Sequence, residues 1–421
     1  MIKIMKSGET PASELLARTA SARDVSGTVA EIIANVRANG DAALCEYNAK
    51  FDRAEGVALE VTAEELDAAV KAVDPEFLRV LERASANIRA FHERQLQRDY
   101  ILTRPDGSML GQRIIPMQRV GLYIPGGTAA YPSSVLMNAV PAKVAGVEEI
   151  IMVTPPTENL NNAVLAAAKI AGVDRVIAVG GAQAVAALTY GAGFIPRVDK
   201  LVGPGNAFVA SAKRQAYGKL DIDMVAGPSE ILIIADGKAN PKFVAADLLS
   251  QAEHDKLASA VLLTDSPELA RAVDAEIVRQ TGYLSRSEIM ECSLRDFGCA
   301  IVCTSLADCA RLADEIAPEH LEIVTRDPEA VMALIHNAGA VFLGGYTPEP
   351  LGDYMAGPDH VLPTSGTARF FSPLSVDSFL KTMSVIQYDE KSLAPIRDQI
   401  ITLAEAEKLT AHANSIRVRF E

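Results

Sequence analysis

The hydrophobic pattern of the chain changes at about residue 119. Before this point, apolar residues recur at i, i+3 and i+4, which is the spacing of amphipathic helices. The expected helices include residues 25–52, 62–73 and 84–96, with a capping box at Thr62 and Glu65. Beyond it, short uninterrupted apolar strands alternate with helical segments. That alternation predicts parallel sheets that are covered by helices on both faces.

Two sets of alternating strands and helices follow one another, beginning with RVGLYIPGG (119–127) and ILIIAD (231–236). The last roughly 50 residues return to helical spacing. The expected fold class is α/β, with two doubly wound, Rossmann-like parallel-sheet domains, a helical N-terminal segment and a small C-terminal helical extension. The expected division is a helical N-terminal arm at 1–22, one sheet domain at 23–118 and 231–373, the other at 119–230, and a C-terminal segment at 374–421.

The composition favours a soluble protein that acts on a small molecule. A net charge of −14 repels nucleic acids and anionic membrane surfaces. No apolar segment has the roughly 18 residues of a membrane span, and the N-terminus has no signal-peptide pattern. No C-x2-C pair occurs, so we expect free thiols in a reducing cytoplasm rather than a structural zinc site. The five cysteines are Cys45, Cys292, Cys299, Cys303 and Cys309.

The segment LLSQAEHD (248–255) ends an apolar run that reads as a helix. Gln251 and His254 stand at i and i+3, so both side chains project from one helix face. An amide oxygen and an imidazole nitrogen can both bind a metal, although a polar helix end can also simply be solvated. With Asp353 and a second imidazole they would form an O₂N₂ set that zinc accepts.

Further unusual polar residues lie downstream: Glu319 with His320, Asp353 with His360, and His412. Together with His254 they include four of the six histidines. Glu319 and His320 are adjacent, so a carboxylate and an imidazole could share proton transfers there. Ligands of open parallel sheets bind outside the carboxyl ends of the strands. We expect Glu319, His320 and the loop that carries Asp353 to lie at such ends. His92 is interpreted as a solvated residue on a helix face, and His336 as a packing or solvated residue.

Gly-rich turns follow several strands of the first set, as in YIPGG, VGGAQA and VGPGNAF. Such turns place free helix N–H groups where an anion such as a pyrophosphate can bind. None is a G-x-G-x-x-G fingerprint, and the strand EEIIMVTPP ends without the acidic residue that usually holds an adenosine ribose. Dinucleotide binding and ordinary tight turns therefore both remain open.

The C-terminal segment LTAHANSIRVR contains His412. Thr410 can cap a new helix that is separate from the preceding one. The break matters because Glu407 and His412 would lie about 140° apart on one straight helix and could not face one ligand.

Together, these residues resemble the histidinol dehydrogenase family over nearly the whole chain. The motifs that carry the resemblance are VGLYIPGGTAAYPSSVLMNAVPAKVAGV, VGGAQAVAAL, VDKLVGPGNAFV, AGPSEILIIAD, LLSQAEHD, APEHLEI, GDYMAGPDHVLPTSGTARF and LTAHANSIRVR.

The resemblance implies oxidation of L-histidinol to L-histidine through an aldehyde, with two NAD⁺ reduced. It implies one Zn²⁺ per subunit, held in the domain formed by 23–118 and 231–373, and an NAD site in 119–230. His320 would be the general base, and Glu319 would activate the water that hydrates the aldehyde. The C-terminal segment would be exchanged in a domain-swapped cytoplasmic homodimer.

Further residue roles are also implied by the resemblance. The zinc ligands would be Gln251, His254, Asp353 and, reaching in from the other subunit, His412. Those ligands would also contact the substrate, together with Ser229, His320 and Glu407, and His360 is a weaker substrate-side candidate. The NAD site would be lined by Tyr123, Gln183 and Asn206.

Three alternatives predict different behaviour. A sister dehydrogenase would use zinc and NAD but oxidise another small polar alcohol. A zinc hydrolase, with Glu319 as base for a metal-bound water, would turn over without NAD⁺. A ligand-binding protein without activity would have no use for both Glu319 and His320.

Overall fold

The computed structural model describes residues 1–9, 24–126, 131–156 and 160–421. The chain divides into two compact units. The first comprises Met1–Gln95 and Gln118–Phe379, and the second comprises Leu96–Met117 and Leu380–Glu421. No helix among the described residues is long and apolar enough to cross a membrane.

The strands, in chain order, are β1 (Lys3–Lys6), β2 (Tyr100–Thr103), β3 (Met109–Pro116), β4 (Arg119–Tyr123), β5 (Glu149–Thr154), β6 (Arg175–Ala178), β7 (Lys200–Val202), β8 (Asp221–Ile222), β9 (Glu230–Ala235), β10 (Ser259–Thr264), β11 (Gly298–Val302), β12 (His320–Val324), β13 (Ala340–Leu343) and β14 (Leu380–Gln387).

The α-helices of the described residues are α1 (Ser26–Asn39), α2 (Asp41–Asp52), α3 (Ala63–Ala72), α4 (Pro75–His92), α5 (Pro132–Ala145), α6 (Asn162–Ala171), α7 (Gly181–Tyr190), α8 (Ala207–Ala216), α9 (Pro241–Ala252), α10 (Pro267–Thr281), α11 (Ser287–Phe297), α12 (Leu306–Ile316), α13 (Pro328–Met332), α14 (Glu349–Tyr354), α15 (Glu390–Leu393), α16 (Arg397–Ala406) and α17 (Thr410–Arg417).

The first unit contains the two parallel sheets that the alternation predicts. Their strand orders are β6-β5-β4-β7-β8 and β1-β11-β10-β9-β12-β13. Each sheet grows outward from a central strand in one direction and then in the other, which is the doubly wound arrangement. The predicted fold class is therefore confirmed. Central strands such as β9 and β10 are buried along their whole length, as expected for sheets covered on both faces.

The N-terminus departs from the expected helical arm at 1–22. Residues 3–6 form β1, which pairs in parallel with β11 at the edge of the six-stranded sheet. The four residues KIMK are too few to show a periodic pattern. Most of the expected arm, residues 10–22, lies outside the described residues.

The helices α1 and α2 pack on the five-stranded sheet. Their apolar residues, Val29 to Tyr47, share one buried cluster with Ile151, Val185 and other residues of that sheet and its helices. The expected division placed residues 23–118 with 231–373. The packing of α1 and α2 differs from it, because periodicity shows that a helix has an apolar face but not which sheet covers it. The domain division itself stays a prediction.

The second unit is built on a three-stranded antiparallel sheet in the order β14-β3-β2. Helices α16 and α17 follow it, as the C-terminal periodicity predicts. The strands themselves contradict the helical expectation for residues before 115 and after 374. Every residue of β2 is exposed in the single chain, so its sequence shows no alternation of buried and exposed positions.

Candidate active site

The polar pair Gln251 and His254 lies at the end of helix α9, with Gln251 in its last turn and His254 two residues beyond it. Asn240 caps the helix by accepting a hydrogen bond from the Lys242 amide at 3.0 Å, and Pro241 occupies the first turn. Its apolar face packs on the six-stranded sheet. The helix ends at Ala252. The Gln251 side chain is buried, and its Oε1 has no hydrogen-bond partner among the described residues. A buried acceptor that no protein donor satisfies is well suited to bind a cation.

The site lies at the amino edge of the six-stranded sheet. A helix that connects parallel strands runs antiparallel to them, so the C-terminal end of α9 returns to this edge. Glu319 and His320 are also here, since His320 is the first residue of β12 and pairs with Ile231 near the start of β9. The expectation that Glu319 and His320 lie at carboxyl ends is therefore wrong.

One hydrogen bond fixes the orientation and the tautomer of the His320 ring. Its Nδ1 lies 2.9 Å from the backbone oxygen of Glu230. A carbonyl oxygen only accepts, so Nδ1 carries the proton of the neutral ring and Nε2 keeps its lone pair. Burial lowers the pKa of His320 to about 4, which keeps the ring neutral near pH 7.

Glu319 is the neighbouring acid. Its Oε2 accepts a hydrogen bond of 2.8 Å from the Glu230 amide and lies 3.7 Å from Nδ1 of His320. Burial raises the pKa of Glu319 well above its usual range. The chain enters β12 through Ala317, whose φ of 52° is an unfavourable left-handed conformation for a residue with a side chain. The predicted pair is thus placed together at a locally strained turn.

A possible metal centre adjoins this pair. Ligand atoms of His254, Glu349 and Asp353 lie within 4.8 Å of one another. Oε1 of Glu349 is buried without a hydrogen-bond partner among the described residues and lies 3.8 Å from Nε2 of His320. Burial and the nearby charge of Asp353 raise the pKa of Glu349 to about 9. Carboxyl groups packed this closely repel each other when ionised, and a bound cation would neutralise that charge.

Glu349 was not identified from the sequence. It stands four residues before Asp353, which is the spacing of one helix face, and that signal was available in TPEPLGDY. The Gly and Pro residues around it indicated a loop, whereas the structure forms the short helix α14 there.

His360 supports Asp353. Its Nδ1 lies 3.1 Å from Oδ1 of Asp353. Burial alone would raise the pKa of Asp353, but the hydrogen bond and the neighbouring imidazoles lower it to about 2. Asp353 is therefore ionised, as a cation ligand requires. The contact of His360 in the site is with Asp353, whose carboxylate it stabilises.

His92 is buried, which corrects its interpretation as a solvated residue. Its Nδ1 donates to Oε1 of Gln95 at 2.8 Å, and that oxygen also accepts from the Val376 amide. Nε2 of His92 lies 3.6 Å from Oδ2 of Asp359. This pair ties α4 to the loop that carries His360. His336 is exposed, as expected.

A mostly apolar cavity of about 340 Å³ opens beside His254 and Asp353. The side chains that line it from α4 and α5 include Phe77, Leu81, Leu136 and Met137. Glu253 and Arg286 add charge to its wall. A cavity of this size and character accommodates a small molecule whose polar end meets the His254 side.

The candidate NAD residues lie at the carboxyl edge of the five-stranded sheet. Tyr123 ends β4, and its hydroxyl accepts a hydrogen bond of 2.9 Å from the Gly181 amide. Gln183 is buried in the first turn of α7. Asn206 caps α8 by accepting from the amides of Phe208 and Val209.

A buried ion pair fixes the turn that leads to Asn206. Lys213 and Asp223 form a salt bridge, and both are almost completely inaccessible. Lys213 also donates to the Gly203 carbonyl, while Asp223 accepts from the Gly203 amide at 2.7 Å. Gly203 has φ of 107°, and a Cβ at this position would lie 2.2 Å from the backbone oxygen of Tyr123, so only glycine fits.

The remaining predicted site residues are Ser229, Glu407 and His412. Ser229 precedes β9, where its backbone oxygen accepts from the Ser259 amide. Glu407 and His412 belong to the second unit, and both are exposed. A break between two helices does separate them, because Lys408 has φ of 61° and α17 begins at Thr410. Leu409 rather than Thr410 is the cap residue of α17. Their place in the site stays a prediction.

All five cysteines are free, as expected. Cys299, Cys303 and Cys309 pack in the apolar cluster on one face of the six-stranded sheet. They serve as small core residues and belong to no group of possible metal ligands among the described residues.

We predict that Asp359→Asn reduces the pH dependence of stability. Burial raises the pKa of Asp359 to about 8, so the His92–Asp359 pair takes up a proton on folding at pH 7, whichever of the two holds it. Because burial also lowers the pKa of His92, the unfolded pair binds fewer protons than the folded pair only above about pH 6.5, where the unfolded imidazole is largely neutral. Between about pH 6.5 and 8, stability therefore falls by up to about 1.4 kcal/mol per pH unit as pH rises. Urea unfolding at about pH 6.8 and 7.8 measures the slope. A slope unchanged in the variant would contradict the assignment.

Comparisons with known proteins identify the family. The family model described as histidinol dehydrogenase matches residues 16–420. A histidinol dehydrogenase of Clostridium acetobutylicum is 55% identical over 396 residues, covering 94% of this chain and 92% of that one. One from Bacillus subtilis is 52% identical over 394 residues, covering 93% and 92%. A crystal structure of histidinol dehydrogenase from Elizabethkingia anophelis superposes with a TM-score of 0.95 at 36% identity, covering 100% of this chain and 98% of the other. The chain belongs to the histidinol dehydrogenase family.

Proposed function

We propose that this protein oxidises L-histidinol to L-histidine through the aldehyde in one site, with two NAD⁺ reduced and one Zn²⁺ bound per subunit. The observation that carries the proposal is the buried pair Glu319–His320 beside the ligand group of His254, Glu349 and Asp353. Family membership supports the substrate, and these groups suit the two oxidations.

The proposed metal ligands are Gln251, His254 and Asp353, with His412 supplied by the other subunit. The unpartnered Oε1 of Gln251 and the ionised Asp353 suit this role. Glu349 offers a further carboxylate that the sequence analysis did not include. When bound, zinc would supply positive charge that orients the imidazole and amine of the substrate.

His320 is proposed to take the proton of the substrate hydroxyl. Its Nε2 faces the ligand group with a free lone pair, because Nδ1 is committed to the Glu230 carbonyl. NAD⁺, when bound, would supply the hydride acceptor, and Nε2 of His320 would take the hydroxyl proton as the aldehyde forms.

Glu319 is proposed to activate water for the second oxidation. A carboxylate whose pKa is raised by burial is a stronger base than an exposed one when it is ionised. It takes a proton from the water that adds to the aldehyde carbon, and the hydrate then loses its hydride to a second NAD⁺. Separate bases for two successive steps account for both residues.

The cofactor is proposed to bind along the carboxyl edge of the five-stranded sheet. Tyr123, Gln183 and Asn206 lie at or just beyond the ends of β4, β6 and β7 there. The N-termini of α7 and α8 lie at this edge, where the positive ends of their helix dipoles would favour a pyrophosphate.

A homodimer is proposed because the second unit exposes many apolar side chains. Tyr100, Ile101, Leu102, Met383 and Ile386 are each at least half exposed in the single chain. Large apolar side chains exposed in such number are characteristic of an interface. An exchanged C-terminal segment would bring Glu407 and His412 to the substrate, with Ser229 as a further contact. We infer a cytoplasmic location from the biosynthetic role and the free thiols.

We predict that His254→Asn lowers zinc content from about one per chain to below a tenth, because asparagine cannot reproduce the imidazole donor. The fold should persist, since the residue follows the end of α9. Metal analysis of the dialysed protein, with circular dichroism for the fold, is the test. His336→Asn is the matched control because His336 is exposed. Retention of zinc in His254→Asn would remove His254 from the ligand set.

We predict that Glu319→Gln slows aldehyde oxidation far more than alcohol oxidation. Loss of a general base costs about 10²- to 10⁴-fold, and only the second step needs activated water. Single-turnover assays started separately from L-histidinol and L-histidinaldehyde measure the two steps. Glu315→Gln, an exposed site in α12, is the control. Equal losses in both steps would show that Glu319 does not activate water.

A further inference from the structure

The two described residues that follow the second strand of the five-stranded sheet offer no carboxylate to the adenosine ribose. In doubly wound sheets, a carboxylate just beyond the second strand accepts hydrogen bonds from the ribose hydroxyls. Here that strand is β5, and the residues that follow Thr154 are Pro155 and Pro156, which offer no side-chain acceptor. Pro155 packs against Gly180, so the end of β5 lies next to the turn after β6.

Helix α2 reaches this same edge from another part of the chain. Its Asn48 side chain is buried and donates to the backbone oxygen of Ala178, the last residue of β6, at 2.9 Å. The other atom of the amide group, Oδ1, is buried and has no hydrogen-bond partner among the described residues. The end of α2 is thereby anchored over the carboxyl end of β6.

Asp52 lies one helical turn after Asn48, on the same face of α2. Its Oδ2 is also buried without a hydrogen-bond partner within the described ranges. The charge of Asp52 acts on the Tyr123 hydroxyl, whose pKa is raised to about 12 by burial and by that charge. Because Tyr123 ends β4 and bonds to Gly181 after β6, Asp52 stands over the edge formed by β4, β5 and β6.

We propose that Asp52, with the amide oxygen of Asn48, accepts hydrogen bonds from the adenosine ribose and makes the protein select NAD⁺ over NADP⁺. This rests on the proposed function, since it concerns the cofactor of that reaction. A carboxylate at this place accepts from a free 2′-hydroxyl and repels a 2′-phosphate. The acid comes from a helix that precedes the sheet in sequence, and the sequence directly after β5 therefore does not contain it.

If Asp52 only stabilised the fold, Asp52→Asn would lower the melting temperature, but the environment of Asp52 argues against this. Burial raises the pKa of Asp52, so ionisation of this carboxyl is unfavourable in the folded protein and nothing among the described residues compensates for it. Asp52→Asn should therefore leave the melting temperature unchanged or raise it. A ligand contact, in contrast, is seen only in binding.

The test is calorimetric titration of the zinc-loaded dimer with NAD⁺ and with NADP⁺, in the absence of substrate. For Asp52→Asn we expect NAD⁺ to bind about 10- to 100-fold more weakly, as for loss of a hydrogen bond to a charged group. NADP⁺ should bind as well as before or better, so the preference for NAD⁺ falls at least as far. Glu46→Gln, an exposed acid on the same helix, is the matched control and should leave both affinities unchanged.

Unchanged NAD⁺ affinity and preference in Asp52→Asn would overturn the assignment. So would an equal weakening of both nucleotides, which would indicate a general loss of the site. Glu158, the acid that follows β5 in sequence, is the rival: a loss of preference in Glu158→Gln but not in Asp52→Asn would place the ribose acid there. If the wild type bound NAD⁺ but Asp52→Asn changed nothing, only this inference would fail. If the wild type bound neither nucleotide, the proposed function would fail with it.

Discussion

The hydrogen bond between Nδ1 of His320 and the Glu230 carbonyl is the interaction on which the site depends. It assigns the proton to one ring nitrogen and leaves the other free, and it joins the start of β12 to the start of β9. The same residue, Glu230, donates its amide to Glu319. One peptide segment of a central strand thus orients both proposed bases. Because the segment belongs to a buried sheet, neither side chain can reorient without disturbing the strand pairing.

Burial also changes the pKa values of the acidic groups in the site. Glu319 and Glu349 have raised pKa values, whereas Asp353 is kept ionised by His360. Ionisation of several acids in a buried site is unfavourable in the free protein. A bound cation and a basic substrate would make it favourable. The site therefore lowers the stability of the free protein in favour of binding, which is a common relation between active sites and folding.

The sequence predicted the sheets well because each parallel strand is a short, wholly apolar run between helical segments. It predicted the position of Gln251 and His254 because helical spacing is local. It failed for β2, β3 and β14, whose residues have no alternating burial in the single chain, and for α14, where prolines and glycines hid a helical pair. The edge of the sheet was also assigned incorrectly for Glu319 and His320, although their place directly before a strand in the sequence puts them at its amino end. His92 shows the same limit: its charged neighbours in sequence indicated solvent, while its neighbour in space is Asp359.

The most direct test of the central claim is the number of NADH molecules formed per L-histidinol consumed, with purified protein, NAD⁺ and zinc. The account predicts two, with L-histidine as product, because Glu319 and His320 serve successive oxidations in one site. One NADH with free aldehyde would contradict the role given to Glu319. No NADH would contradict the proposed substrate and would direct attention to other small polar alcohols.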